Sequence, residues 1–137
     1  MYPGDAYVDW TCLDGYNGGT ALYHGWQSFA QVFQRSYNDV LAVAPTQPMM
    51  LGEFASTETG GSKASWITDT FSTQLPKYFP KVKAAVWFNA KHDNPYNDWR
   101  IESSSAAQSA FASAIQSSYY AQNEFGALST SPIPPLK

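Results

Sequence analysis

The chain repeats one pattern three times: a short apolar run that ends in polar residues, then a longer segment with helical spacing of its apolar side chains. The runs are Tyr7–Leu13, Pro48–Glu53 and Ala84–Asn89. Apolar runs of this length fit strands buried on both faces, as in a parallel sheet packed between helices. Regular alternation of strand and helix predicts parallel strands joined by right-handed crossovers. We therefore predict an α/β fold.

Three helices are predicted after these strands. The first follows Gly25, where a core-facing stripe is made by Trp26, Phe29, Ala30, Phe33, Tyr37, Val40, Leu41 and Ala44. Ser62 is the predicted N-cap of the second helix, and Pro76 is expected to end that helix because it lacks a backbone donor. The third helix follows Ser103, with an inner face formed by Ala106, Ala107, Ala110, Phe111, Ala114 and Ile115.

The ends of the three runs carry the residues suited to chemistry. Glu53 ends the second run, Tyr16 lies just beyond the first, and the loop after the third reaches Tyr96 and Trp99. Parallel sheets bind ligands at the carboxyl ends of their strands, so these side chains are expected at one edge of the sheet. Aromatic rings at that edge suit carbohydrate, whereas Trp66, Phe71 and similar rings on helical stripes fit the core better.

Five short motifs occur in order along the chain: Tyr2-Pro-Gly-Asp-Ala-Tyr-Val-Asp-Trp, Leu13-Asp-Gly-Tyr-Asn, Gly52-Glu-Phe-Ala-Ser-Thr-Glu, Val86-Trp-Phe-Asn and Asp98-Trp-Arg-Ile. Through them the chain resembles the last three repeats of glycoside hydrolase family 26, which comprises β-mannanases and related β-glucanases built on a (β/α)8 barrel. The resemblance runs from about Tyr2 to about Tyr119. It implies that residues 1–122 are the C-terminal (βα)3 portion of a TIM barrel, with strands six to eight.

The resemblance also implies roles for individual residues. Glu53 would be the nucleophile of a retaining glycosidase acting on β-1,4-linked polysaccharide such as mannan or β-glucan. Tyr16 would hydrogen-bond that nucleophile, and Trp87 would be the aromatic platform under the sugar. Phe88 departs from family members that carry a polar or basic side chain at that position, so the substrate contacts there stay open.

A retaining mechanism needs a second carboxyl group about 5–5.5 Å from the nucleophile. In the family this general acid/base is a glutamate after the fourth strand, so the resemblance implies that it comes from outside this chain. The remaining loop carboxylates match no acid/base motif and fit loop or capping roles better: Asp14, Glu58, Asp93, Asp98 and Glu102. A second class of function stays open, a catalytically inactive remnant or a carbohydrate-binding module that uses the aromatic residues at the strand ends.

Composition disfavours several other classes. The net charge is -3 with 8 basic residues spread thinly, so neither nucleic acid nor an anionic membrane is an expected partner. No Gly-rich phosphate loop follows the first run, which argues against a nucleotide-binding domain. His24 and His92 lack metal-ligand spacing, and turn formation explains the Asp93–Asp98 loop as well as a cation would, so no metal or cofactor is expected.

Within the first strand, Cys12 is expected to be a small buried hydrophobic residue and Trp10 to pack inside the barrel. Residues 123–137 are polar and Pro-rich and are predicted to form an extended or disordered tail. No export signal or membrane-spanning run is recognised, although family members are commonly extracellular, so the localisation stays open. Three parallel strands leave two edges unpaired, and we expect self-association or a complementary barrel fragment to cover them.

Overall fold

The computed structural model describes residues 2–91 and 98–120. Within this part of the chain, three strands form one parallel sheet with the second strand in the centre. The strands are β1 (Thr11–Asn17), β2 (Met49–Ser56) and β3 (Val82–Trp87). The predicted α/β fold with parallel strands is confirmed. The predicted tail at 123–137 lies outside the described residues, as do His92, Asp93 and Tyr96.

Helical segments follow each strand, as the sequence predicts. They are α1 (Phe29–Val43), α2 (Lys63–Asp69), a π-helical segment that continues α2 (Thr70–Tyr78) and α3 (Ser105–Ala114). Single 3-10 turns occur at Asp5–Tyr7, Gly19–Ala21 and Ile101–Ser103. No helix of the described ranges is long and apolar enough to cross a membrane.

Serine side chains fix the starts of the three α-helices. Ser28 and Gln31 form a capping box, in which Ser28 Oγ accepts from the Gln31 amide at 3.2 Å and Gln31 Oε1 accepts from the Ser28 amide at 2.8 Å. The first helix therefore begins at Phe29, later than predicted. Ser62 caps α2 by accepting from the Ser65 amide at 3.2 Å, which confirms that prediction.

Pro76 does not end the second helical segment, contrary to the sequence prediction. It lies inside the π-helical segment, which runs on to Tyr78. In a regular α-helix a proline ring clashes with the carbonyl four residues earlier, and here the segment has the wider π-helical turn instead of a regular α-helical one. Because the segment continues, Leu75 stays in the core at 2% exposure.

The helices cover one face of the sheet. Their apolar side chains and those of the strands form a single core of Phe29, Phe33, Tyr37, Met49, Leu51, Phe54, Trp66, Ile67, Phe71, Leu75, Phe79, Val82, Ala107 and Ala114. In α3 the buried face is narrower than predicted, since Ala106 and Ile115 are exposed.

No described helix covers the other face of the sheet, which we call the open face. The prediction that Cys12 is buried is wrong, because its side chain lies on this face and is exposed. Trp10 is not in mid-strand either: it precedes β1 and is 40% exposed. The parallel ladder starts where the Thr11 amide donates to the Pro48 carbonyl at 2.9 Å, because β2 itself begins only at Met49.

Candidate active site

A β-bulge in β2 sets the direction of Glu53. Leu13 pairs with Leu51 and Asp14 pairs with Glu53, so Gly52 is an extra residue between two paired positions. Leu51 and Phe54 are buried against the helices, whereas Glu53 is exposed on the open face. Strict alternation from Leu51 would turn Glu53 toward the core, and the bulge prevents this. Glu53 therefore lies inside β2, which continues to Ser56, and not at its end as predicted.

Glycine at the bulge leaves room for the side chains of β1. A Cβ atom on Gly52 would lie 2.6 Å from Cys12 Sγ and 2.9 Å from Asp14 Oδ1. Both distances are shorter than a carbon atom tolerates, so a side chain here would displace the Cys12 thiol and the Asp14 carboxylate. The glycine next to Glu53 is therefore part of what shapes the site.

Asp14 is bound directly to the bulge. Its Oδ1 accepts a hydrogen bond from the Glu53 backbone amide at 2.8 Å. The carboxylate thus satisfies a donor at the irregular position and fixes the backbone that carries Glu53. Sequence reasoning weighed Asp14 as a substitute acid and favoured a loop or capping role. It missed the contact with the Glu53 amide, because the bulge that places Asp14 opposite Glu53 is not visible in either strand alone.

Tyr16 and Glu53 are brought together, as the resemblance implied. The Tyr16 hydroxyl donates to Glu53 Oε2. Burial, together with the hydrogen bond to Glu53, raises the pKa of Tyr16 above the ordinary value for a phenol. Tyr16 therefore keeps its proton at neutral pH and acts as a donor to the carboxylate.

An aromatic cluster surrounds Tyr16. The Trp99 ring lies 5.1 Å from the Tyr16 ring, centroid to centroid, and Phe88 meets it edge-on at 5.7 Å. The Phe88 amide donates to the Phe54 carbonyl at 3.0 Å, which holds the chain beside β2 just beyond the end of β3. Phe88, the residue that departs from the family pattern, is thus one of the rings nearest to the Tyr16–Glu53 pair.

Trp87 lies on the helix-covered face. Its ring is 5.2 Å from Phe54 and 6.0 Å from both Trp66 and Phe111, while Nε1 donates to the Trp99 carbonyl at 2.7 Å. The ring is half-buried. Its predicted contact with a sugar stays a prediction, and the contacts that the structure gives are with the core and with the backbone of Trp99.

A second bulge explains this orientation. Met49 pairs with Val82 and Met50 with Ala84, so Lys83 is an extra residue in β3. Val82 faces the core, and simple alternation from Val82 would have put Trp87 on the open face. The extra residue reverses the alternation, so Trp87 faces the helices and Phe88 takes the open side.

Three other described carboxylates, those of Glu58, Asp98 and Glu102, hold loops. Glu58 Oε1 accepts from Ser103 Oγ at 2.9 Å and Ser104 Oγ at 2.7 Å. Asp98 forms a salt bridge with Arg100 at 2.6 Å, and that hydrogen bond lowers the pKa of Asp98. Glu102 Oε2 accepts from Asn89 at 3.1 Å. Among residues 2–91 and 98–120, no group of three His, Cys, Asp or Glu side chains is placed to hold a metal ion.

Comparison with known proteins gives one informative relative. The chain is 49% identical over 116 residues to Endoglucanase H of Acetivibrio thermocellus. The aligned region covers 83% of this chain and 12% of the relative, so the chain corresponds to a small part of that protein. No family model matches the chain.

Proposed function

We propose that this chain provides the nucleophile side of a retaining glycosidase site that acts on β-linked polysaccharide of the β-glucan or mannan type. One observation carries the proposal. The Glu53 carboxylate is exposed on the open face and accepts a hydrogen bond from the Tyr16 hydroxyl, and the Glu53 backbone amide donates to Asp14. A carboxylate held in this way has a fixed direction and keeps one oxygen available for attack. The similarity to an endoglucanase supports the choice of substrate class.

In this mechanism a Glu53 oxygen forms a bond to the anomeric carbon while the glycosidic carbon–oxygen bond breaks. A second carboxylic acid gives its proton to the leaving oxygen, then deprotonates the water that releases the sugar from Glu53. Asp14 is a poor candidate for that acid, because it is already engaged with the backbone of Glu53. In line with the family resemblance, we assign the acid/base to a residue outside this chain.

The same proposal explains the open face as the interior side of a barrel wall. β1 and β3 each have one neighbour in the described sheet, and Val86 on the open face is 51% exposed. Beside β3 lies a groove of about 410 Å³, whose lining includes the rings of Phe71, Phe111 and Tyr120. Unpaired parallel edges and exposed apolar surface favour association, so we propose that further strands, from a complementary segment or another copy, complete the barrel.

Covalent trapping tests the nucleophile. A 2-fluoro glycoside with an activated leaving group needs no acid for the first step, so it should label Glu53 while the second step is slow. We expect the adduct on Glu53 by peptide mass spectrometry and none in Glu53→Gln, whereas Glu102→Gln should label as wild type. In an assembly that hydrolyses β-glycan, Glu53→Gln should lower kcat by at least about 1,000-fold. An adduct on another carboxylate would overturn the assignment.

Binding without catalysis is the second candidate, favoured by the ring cluster of Tyr16, Phe88 and Trp99 beside Glu53. Stacking on an aromatic face does not need the missing acid. Titration with cellohexaose and mannohexaose, followed by tryptophan fluorescence, should then give saturable binding that Glu53→Gln retains. Binding without any labelling of Glu53 would favour this second function, whereas no response to millimolar sugar would exclude it.

A further inference from the structure

Lys63, the first residue of α2, is a charged side chain with 0% exposure. Its ammonium donates three hydrogen bonds, to the Arg100 carbonyl at 2.6 Å, Ser103 Oγ at 2.9 Å and the Asp98 carbonyl at 3.1 Å. An ammonium group has three donors, so all of them are used. A buried charge is costly unless it is fully hydrogen-bonded, and these contacts meet that condition.

These bonds fix the backbone on both sides of Trp99. Lys63 binds the carbonyls of Asp98 and Arg100, and Trp87 Nε1 binds the carbonyl between them, that of Trp99. The two side chains also contact each other, with the Lys63 ammonium 5.8 Å from the centroid of the Trp87 ring. Three consecutive carbonyls are thus held by one pair of side chains from α2 and β3.

The segment held in this way reaches the site. The Trp99 ring packs against Tyr16, and the Tyr16 hydroxyl donates to Glu53. A continuous set of contacts therefore runs from Lys63 through Trp99 and Tyr16 to Glu53. None of the three hydrogen bonds of Lys63 goes to Tyr16 or Glu53, so Lys63 acts on them indirectly.

We propose that Lys63 is a positioning residue, whose ammonium fixes the Asp98–Arg100 backbone so that Trp99 holds Tyr16 against Glu53. The catalytic part of this inference rests on the proposed role of Glu53. The structural part, the link from Lys63 to Trp87 and Trp99, stands on the hydrogen bonds alone and is tested without any activity.

The charge on Lys63 can be varied with pH. Burial lowers the pKa of Lys63 to about 8. The negative charges of Glu58, Asp98 and Glu102 act in the opposite direction and raise this pKa, whereas the positive charge of Arg100 lowers it slightly further. A neutral amine has two hydrogens for three acceptors and loses its attraction to the Trp87 ring. The Trp87–Trp99 arrangement should therefore change as the pH rises through about 8.

Nuclear magnetic resonance of the five tryptophan indole groups tests this link. The Trp87 indole N–H signal is identified as the one missing from Trp87→Phe. In wild type it should titrate with a midpoint near pH 8. In Lys63→Met the Trp87 signal should be displaced at every pH and show no such midpoint. In Lys63→Arg the signal should stay near the wild-type position at neutral pH. In the control Lys77→Met, which changes an exposed lysine, the signal should titrate as in wild type.

The proposal is overturned if Lys63→Met leaves the Trp87 signal at its wild-type position, or if the midpoint near pH 8 survives that substitution. If Lys63→Met fails to fold, the titrations of wild type and Lys63→Arg still test the link. The link is contradicted if the Trp87 signal does not titrate in wild type, or if it titrates with the same midpoint in Lys63→Arg.

Kinetics in an assembly that hydrolyses β-glycan test the catalytic part. Lys63→Met should lower kcat by about tenfold with KM within about twofold, because the nucleophile is misplaced while most substrate contacts remain. Lys63→Arg should recover most of the loss. An unchanged kcat in folded Lys63→Met overturns this part. If activity instead persists in Glu53→Gln, the proposed function fails while the indole measurements remain valid.

Discussion

The two faces of the sheet differ in how far this chain covers them. On the helix-covered face, Phe29, Phe54 and Ile67 are at most 1% exposed, and every neighbour they need comes from the described part of this chain. On the open face, Cys12, Glu53 and Val86 remain exposed although they lie in strands. The covered face can therefore hold the chain together, whereas the open face presents groups for contact with something else.

The apolar core and the candidate site are separated by the thickness of one strand. Phe54 and Glu53 are consecutive, yet Phe54 is in the centre of the core and Glu53 hydrogen-bonds Tyr16 on the opposite side. The bulge at Gly52 produces this separation, since it turns two successive residues to the open face before the chain returns to the core. Polar groups can gather on the open face because no helix packing depends on them.

The largest difference between the two faces should appear in unfolding free energy. Phe54→Ala should destabilise the chain by about 3–5 kcal/mol, because it leaves a cavity between the sheet and the helices. Val86→Ala on the open face should change stability by less than about 0.5 kcal/mol. Urea denaturation followed by circular dichroism measures both. A comparable loss for Val86→Ala would mean that the open face is covered in solution, and the contrast would no longer hold.

A smaller effect is expected from Lys63, the one charged residue among the described ranges that is fully buried on the helix side. Its pKa is lowered from 10.5 to about 8 on folding, so between these values the unfolded chain binds more protons. Stability should therefore rise with pH across this window, by up to about 3 kcal/mol. Below pH 8 the full cost of burying the charge is present.

Denaturation at about pH 7.5 and about pH 10, in wild type and Lys63→Met, isolates this contribution from other groups that titrate in the same range. We expect the wild type to gain stability relative to Lys63→Met as the pH rises. An equal response of the two proteins would show that Lys63 keeps its ordinary titration and that its burial is relieved by motion of the Asp98–Ser103 loop.

The smallest expected effect concerns the reactivity of the Cys12 thiol and involves no change in stability. Its thiol is the only one in the chain and is exposed on the open face. If further strands cover that face, the rate of reaction with a thiol reagent should fall as protein concentration rises, in parallel with an increase in sedimentation coefficient. Constant reactivity in a monodisperse monomer at high micromolar concentration would show that the open face is stable without a partner.

Much of the architecture was predictable because apolar periodicity is a local property. Short apolar runs and period-3.6 stripes identified three strands and three helices in the right order, and Ser62 was recognised as a cap from its place before an apolar stripe. The contact between Tyr16 and Glu53 was anticipated from the family resemblance. Element boundaries were less accurate: β1 begins at Thr11 because a strand extends only as far as its neighbour supplies hydrogen-bond partners.

The sequence by itself thus determined the α/β alternation, the start of α2 at its capping Ser62 and the location of Glu53 within the second apolar run. Only the tertiary structure decided which way the side chains point. The bulges at Gly52 and Lys83 reverse the alternation in β2 and β3, placing Glu53 beside Asp14 and turning Trp87 to the core. A bulge is a mismatch in register between two strands, and its position depends on how both are packed by distant helices. For the same reason, the burial of Lys63 depends on its contacts with Asp98 and Arg100, which are distant from it in sequence.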